Sequence, residues 1–213
     1  MNITENLTAV RERISRAGRD PDDITIVAVT KGFEFSVCLL AIQAGLRNLG
    51  ENRVQEALDK IRKVEGADWH LIGHLQTNKV KFAANHFALI QSVDSLRLAE
   101  TLARVNPRQH VLIEVNVARE AQKSGVFPDS APELIGEAAT LLDVQGVMAM
   151  GPTRGDPAPA FKELRTIRDA AQERLGKTLP ILSMGMSGDY EIAVKEGSTM
   201  VRLGQALFGA RPS

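Results

Sequence analysis

Hydrophobic positions along the chain follow two periods that alternate. Near the amino end, Leu7, Val10 and Ile14 recur at helical spacing, which predicts a helix over Thr4–Ala17 ended by Gly18. Short apolar runs then appear at Ile24–Thr30, Asn48–Glu51, Trp69–Gly73, Ala88–Ser92, His110–Val117, Val144–Met150, Ile181–Met184 and Thr199–Leu203. Between them lie stretches of helical period: Phe35–Ala44, Arg53–Val64, Lys79–Ala84, Leu96–Val105, Ala131–Leu142, Pro159–Leu175 and Gly188–Lys195. The first run, Ile-Thr-Ile-Val-Ala-Val-Thr, has no polar face. It reads as a strand of a parallel sheet covered on both sides.

Strands alternating with helices imply right-handed crossovers and a parallel sheet. Eight such strands fit a closed (β/α)8 TIM barrel with an extra N-terminal helix, at the small end of that fold's size range. An open doubly wound sheet is the competing arrangement. Its dinucleotide fingerprint is absent after the first strand, where Thr30-Lys31-Gly32-Phe33 stands. Gly151–Pro159 reads as an exposed loop.

In a barrel the carboxyl ends of all strands open on one mouth. The residues at or just past those ends are Lys31, Asn52, His74, Ser92 with Asp94, Asn116, Met150, Met184 through Asp189, and Arg202 through Gln205. Polar groups gather there while the strands stay apolar. Lys31 closes the first strand, where an ammonium must find a partner or react. After strands seven and eight come Gly185-Met186-Ser187-Gly188-Asp189 and Val201-Arg202-Leu203-Gly204-Gln205. Loops at these two places often build barrel phosphate sites. Ser187 or Asp189 can cap the following helix, whose free N–H groups would suit an anion. Arg202, flanked by Val201 and Leu203, belongs to a buried strand and needs an acceptor.

Composition narrows the picture. The chain has 213 residues, 44% of them hydrophobic, enough for one core and one domain over 1–213. Lys plus Arg equals Asp plus Glu at 26 each, so no basic field exists to draw nucleic acid or anionic lipid. Cys38 is the only cysteine and lies in an apolar run, which suits a core position in a reducing compartment. No signal-like start and no run near the ~20 apolar residues of a membrane span is present, so a cytoplasmic protein is expected. His70 and His74 are four apart but on a strand, without the glutamate of a zinc-protease helix, and no metal is expected. Asn116 reads as a satisfied barrel group or a ligand contact, and Arg119–Lys123 as a solvated loop.

These motifs carry a resemblance. Ala28-Val29-Thr30-Lys31, Gly50-Glu51-Asn52-Arg53-Val54-Gln55-Glu56, Trp69–Lys79, Leu182–Asp189 and Gly197–Gly204 resemble the YggS/PROSC family of pyridoxal-5′-phosphate-binding proteins over nearly the whole chain. That family looks like the barrel domain of bacterial alanine racemase standing alone. The resemblance implies a Schiff base between Lys31 and pyridoxal phosphate. It implies that Ser187, Gly188, Gly204 and Gln205 hold the phosphate and Arg202 faces the pyridine nitrogen, with Asn52 and His74 lining the pocket. Two departures stand out. Gly32-Phe33-Glu34-Phe35 replaces the lysine and proline that often follow the Schiff-base lysine, and Arg53 stands where tyrosine is common.

A Schiff-base lysine must spend time unprotonated, which desolvation and nearby positive charge favour. An arginine beside the ring nitrogen disfavours its protonation and weakens the cofactor as an electron sink. Racemisation needs an acid/base group on each face of the substrate carbon. In alanine racemase the second is a tyrosine from a second domain, and the only tyrosine here, Tyr190, follows the phosphate loop. The expectation is therefore a monomeric carrier that holds pyridoxal phosphate and supplies it to apo-enzymes. A weak amino-acid racemase and a cofactor-free sugar-phosphate lyase are the alternatives.

Overall fold

The computed structural model describes residues 2–210. Eight parallel strands close into a barrel in chain order, with the last bonded back to the first. They are β1 (Thr25–Val29), β2 (Asn48–Glu51), β3 (Asp68–Leu71), β4 (Leu89–Val93), β5 (His110–Glu114), β6 (Asp143–Met148), β7 (Ile181–Ser183) and β8 (Met200–Leu203). The helices are α1 (Ile3–Arg16), α2 (Phe35–Gln43), α3 (Val54–Ile61), α4 (Val80–Ala83), α5 (Leu96–Val105), α6 (Ala131–Leu141), α7 (Ala158–Leu175), α8 (Tyr190–Lys195) and α9 (Gln205–Phe208).

The period-two alternation within each strand separates two apolar layers. Val27, Leu89, Leu112, Met148 and Met200 form a cluster of their own. Their strand neighbours Ala28, Ile90, Ile113, Val147 and Val201 join the larger cluster that the helices complete. Each fully buried aliphatic side chain contributes roughly 1.5–3 kcal/mol of transfer free energy. Helix α1 buries Ile3, Val10 and Ile14 and packs on α8 and α9. Asn6 Nδ2 donates to the Leu207 carbonyl at 2.8 Å across that contact.

The structure departs from the sequence reading at several ends. Strand β5 stops at Glu114, because the chain curls: the Asn116 N–H donates to the Val126 carbonyl at 2.8 Å. Helix α4 is a single turn after a 3-10 segment at Thr77–Lys79. Helix α8 starts at Tyr190 rather than Gly188, because Asp189 Oδ1 accepts the Met186 N–H and closes a turn ahead of it. Helix α9, absent from the pattern, follows β8 directly. Among the described residues no helix is long and apolar enough to cross a membrane, and no group of three or more His, Cys, Asp or Glu side chains could hold a metal.

Candidate functional site

At the carboxyl ends of the strands lies a cavity of about 490 Å³. Lys31, Asn52, Ser187, Gly188, Arg202, Gly204 and Gln205 all line it. Val29, Phe33, Ile72, Met148, Met150 and Met186 give it apolar walls. Thus seven of the eight residues singled out in the sequence meet in one place. Lys31 and Arg202 are the titratable side chains of that lining among the described residues.

Lys31 stands two residues beyond β1. The ladder continues past the strand, since the Thr30 N–H donates to the Gly50 carbonyl at 3.0 Å. Thr30 is fully buried, and its hydroxyl donates to Glu51 Oε1 at 2.6 Å. Lys31 therefore leaves the sheet from a fixed point at the mouth.

Arg202, only 4% exposed, finds acceptors on neighbouring strands: Ser183 Oγ at 2.7 Å and the Ala149 carbonyl at 2.8 Å. The chain of bonds continues through the barrel. Ser183 Oγ donates to Gln91 Oε1 at 2.7 Å, and Gln91 Nε2 lies 2.9 Å from His70 Nδ1. His70 Nε2 lies 3.1 Å from Asn48 Oδ1. Because Gln91 uses its oxygen for the serine, its amide nitrogen faces the imidazole. His70 then accepts at Nδ1 and donates from Nε2. Burial drives His70 down to about 4. Burial also lowers Arg202 to about 10, against the opposing pull of Glu114 and Asp189. Glu114 is pushed up to about 7, chiefly by burial and further by Asp94, with Arg202 opposing. Its Oε2 is buried with no hydrogen-bond partner.

The loops after β7 and β8 are tied together. Gly185 has φ +96°, and a Cβ there would lie 2.7 Å from Ala193 Cβ and 2.9 Å from Tyr190 Cα. The tight passage needs glycine. Gly188 is the opposite case, since a Cβ there would meet nothing within 4 Å. Gly188 also belongs to the cavity lining. Ser187 does not cap α8 as the sequence suggested. Its Oγ accepts the Ala206 N–H at 3.0 Å, across the mouth at the start of α9. Asp189 occupies the N-cap position of α8, but its side chain bonds Met186 N–H instead of the helix. The first correction follows from β7 and β8 being neighbours, which brings the two loops within bonding reach, and the second from a turn closed inside the β7 loop itself.

Residues 2–212 match the family described as alanine racemase, N-terminal domain. The pyridoxal phosphate homeostasis protein of Escherichia coli K12 is 41% identical over 233 residues, covering 99% of this chain and 97% of that one. The chain belongs to this family of pyridoxal phosphate homeostasis proteins. PipY of Synechococcus elongatus, solved without pyridoxal phosphate, superposes with a TM-score of 0.88 at 33% identity, covering 98% of this chain and 100% of that one. PipY has also been solved with pyridoxal phosphate bound, and that form gives a TM-score of 0.83 at the same identity and coverage. Alanine racemase of Clostridium difficile gives 0.77 at 17% identity, covering 100% of this chain and 60% of that one, a likeness of fold.

Within this family member, His74 lies apart from the cavity lining. Its Nδ1 pairs with Asp94 Oδ2 at 3.0 Å, and the ring is half exposed in a separate surface hollow. Asn116 turns out to be satisfied within its own loop, donating to the Glu120 carbonyl at 2.9 Å and the Lys123 carbonyl at 3.2 Å. The Arg119–Lys123 run is not simply solvated either. Lys123 is only 14% exposed and donates to the Gly151 carbonyl at 2.6 Å, while Glu120 accepts from Thr153. Those contacts bind the β5 loop to the β6 loop.

Sequence reasoning missed two buried groups. One is the polar chain from Asn48 to Arg202. The other is Thr30 with Glu51, Glu56 and Lys60 beneath Lys31. A signal existed for each: Gln91 interrupts an apolar strand, and Glu51 ends one. A polar residue at such a position needs a partner.

Proposed function

We propose that this chain holds pyridoxal 5′-phosphate reversibly on Lys31 and serves its homeostasis and delivery in the cytoplasm. The observation that carries this reading is that Lys31, Ser187, Gly188, Gly204, Gln205 and Arg202 all line one cavity. When bound, pyridoxal phosphate supplies an aldehyde open to amines and an electron-withdrawing ring. The residues present fit such a group. Gly188 brings bare backbone to the lining, and Ser187 and Gln205 add polar residues beside it. Arg202, held by Ser183 and Ala149, offers a fixed charge to the ring. Ile72, Met148 and Met150 exclude water from its faces. Asn52 is a polar contact in the same lining, while His74 lines a separate hollow with Asp94.

The racemase reading is weaker because proton transfer on both faces of a carbon needs two groups. Besides Lys31 and Arg202, no titratable side chain belongs to the lining among the described residues. Tyr190 is buried and lines a second hollow beside Arg13. A carrier needs only the amine, the cradle and the guanidinium. In this reading the protein acts as a monomer and passes the cofactor to apo-enzymes. Buried Cys38, its thiol pushed up by burial, is in keeping with a reducing compartment.

Purified protein loaded with pyridoxal phosphate should be yellow. Borohydride should fix the chromophore to the peptide containing Lys31, and Lys31→Ala should abolish fixation. Colourless protein that takes up no cofactor would overturn the reading. Sustained interconversion of single amino-acid enantiomers, lost in Lys31→Ala, would favour the racemase instead.

A further inference from the structure

Beneath Lys31 lies a group of charges that no step of cofactor holding requires directly. Lys60, on α3, is 6% exposed, and Glu51, at the end of β2, is fully buried. Lys60 Nζ donates to Glu51 Oε1 at 2.7 Å, to Glu56 Oε1 at 3.3 Å and to the Thr30 carbonyl at 2.8 Å. Three donors thus meet three acceptors. Glu56 Oε1 also accepts the Gly32 N–H at 2.7 Å. The carbonyl just before Lys31 and the amide just after it are therefore both held by one cluster.

A buried ion pair is weak evidence of stabilisation, since desolvation offsets much of its attraction and apolar replacements are often neutral or better. This one carries visible costs. Glu51 is raised above its ordinary value by burial, partly countered by Lys60 and Thr30, and its Oε2 has no hydrogen-bond partner. What the cluster secures is a position. Gly32 has φ +75°, so the chain turns sharply straight after Lys31. Phe33 and Glu34 follow Gly32, so no proline fixes this turn.

We propose that Lys60, set between Glu51 and Glu56, is a positioning residue for Lys31. It clamps the peptide groups on either side of that lysine so that its amine stays presented to the cavity. Glu56 is the second jaw, acting through the Gly32 N–H. The idea rests on the reading of Lys31 as the attachment point. The bond concerned forms between Lys31 Nζ and the aldehyde carbon with loss of one water, and borohydride fixes it by hydride addition.

Three variants test the clamp. Glu56→Ala removes the acceptor of Gly32 N–H. Glu56→Gln keeps an oxygen there. Glu51→Gln with Lys60→Met removes the ion pair without leaving a lone buried charge. Two quantities are read beside Tm: amide hydrogen exchange of the peptide spanning residues 30–33, and the rate of borohydride-fixable attachment at Lys31. Glu56→Ala and the double variant should exchange faster at that peptide and attach about tenfold more slowly, the scale expected when a reacting group loses its placement. Glu56→Gln should stay near wild type in both. Unchanged exchange in folded Glu56→Ala and the double variant overturns the clamp. So does slowing that merely tracks lost Tm, or a Gln variant as impaired as Ala. Wild-type protein that takes no pyridoxal phosphate at Lys31 would sink the reading of the site instead, and hydrogen exchange alone would then decide the clamp.

Discussion

Arg202 Nη1 donates to Ser183 Oγ at 2.7 Å, and through that hydroxyl a residue at the mouth is joined to the far side of the barrel. The donors run in one direction, from Arg202 through Ser183, Gln91 and His70 to Asn48. Each member polarises the next, so the chain resists loss of any link. Ser183→Ala removes the acceptor of one guanidinium nitrogen and the donor to Gln91 together. Each buried group left without a partner costs about 1–3 kcal/mol. Urea unfolding should therefore show a loss on the order of 2–4 kcal/mol, well above that of an ordinary Ser→Ala change. A midpoint equal to wild type would mean water replaces the hydroxyl freely.

Glu114 and His70 give opposite pH dependences. Glu114 titrates near 7 in the fold, raised by burial from 4.5. Between those values the native state holds a proton that the unfolded chain has lost, so stability falls as pH rises through this window. The full effect is about 3 kcal/mol. His70 titrates near 4 in the fold, lowered by burial from 6.5. There the unfolded chain binds the extra proton, and stability falls as pH drops from 6.5 towards 4. From 4.5 to 6.5 the two slopes offset each other. Glu114→Gln should unmask the histidine: its stability should climb across that range, and its advantage over wild type should grow up to pH 7. Denaturant melts at half-unit pH steps would reveal this. Parallel profiles for the two proteins would refute the raised carboxyl.

The glycines of the β7 loop should separate folding from binding. Gly185→Ala puts a methyl against Ala193 and the Tyr190 backbone at a positive φ, so the loop must move. The cost should be at least ~1–3 kcal/mol, seen in Tm, with cofactor retention falling alongside. Gly188→Ala has open space around the new methyl and should leave Tm within a degree or two. Gly188 belongs to the cavity lining, so a methyl added there should raise the release rate of pyridoxal phosphate by about tenfold or more. Equal behaviour of the two variants in both measurements would contradict the division.

The barrel was legible because short, largely apolar runs alternate with stretches of helical period, a contrast visible along one dimension. Lys31, Ser187, Gly188, Arg202, Gly204 and Gln205 were legible because chemistry in barrels collects at strand ends, and the resemblance added their roles. What stayed hidden depends on contacts between elements. Glu56 and Lys60 read as an ordinary i,i+4 pair on an amphipathic helix. Only the β1–β2 pairing brings Thr30 and Glu51 over them. Ser187 reads as a cap for the helix next in sequence. The closeness of β7 and β8 gives it Ala206 instead. The pairing of His74 with Asp94, a residue past the next strand, was likewise invisible along the chain.

Ser187 joins the loops after β7 and β8, which makes its hydroxyl a test of whether they act as a unit. The Ala206 N–H at 3.0 Å is only partly buried, so water can replace the serine in the free protein. Ser187→Ala should then cost little in Tm, less than about 1 kcal/mol. Retention of pyridoxal phosphate should suffer more, because the variant loses a hydroxyl and loosens the Gly204-Gln205 backbone that shares the lining. A rise of roughly five- to thirtyfold in release rate corresponds to one lost contact of 1–2 kcal/mol. Ser187→Thr retains the hydroxyl and should recover most of that loss. Dialysis of loaded protein, followed by its visible absorbance, measures the release directly. If Ala and Thr release the cofactor at the wild-type rate, the two loops do not hold the phosphate together.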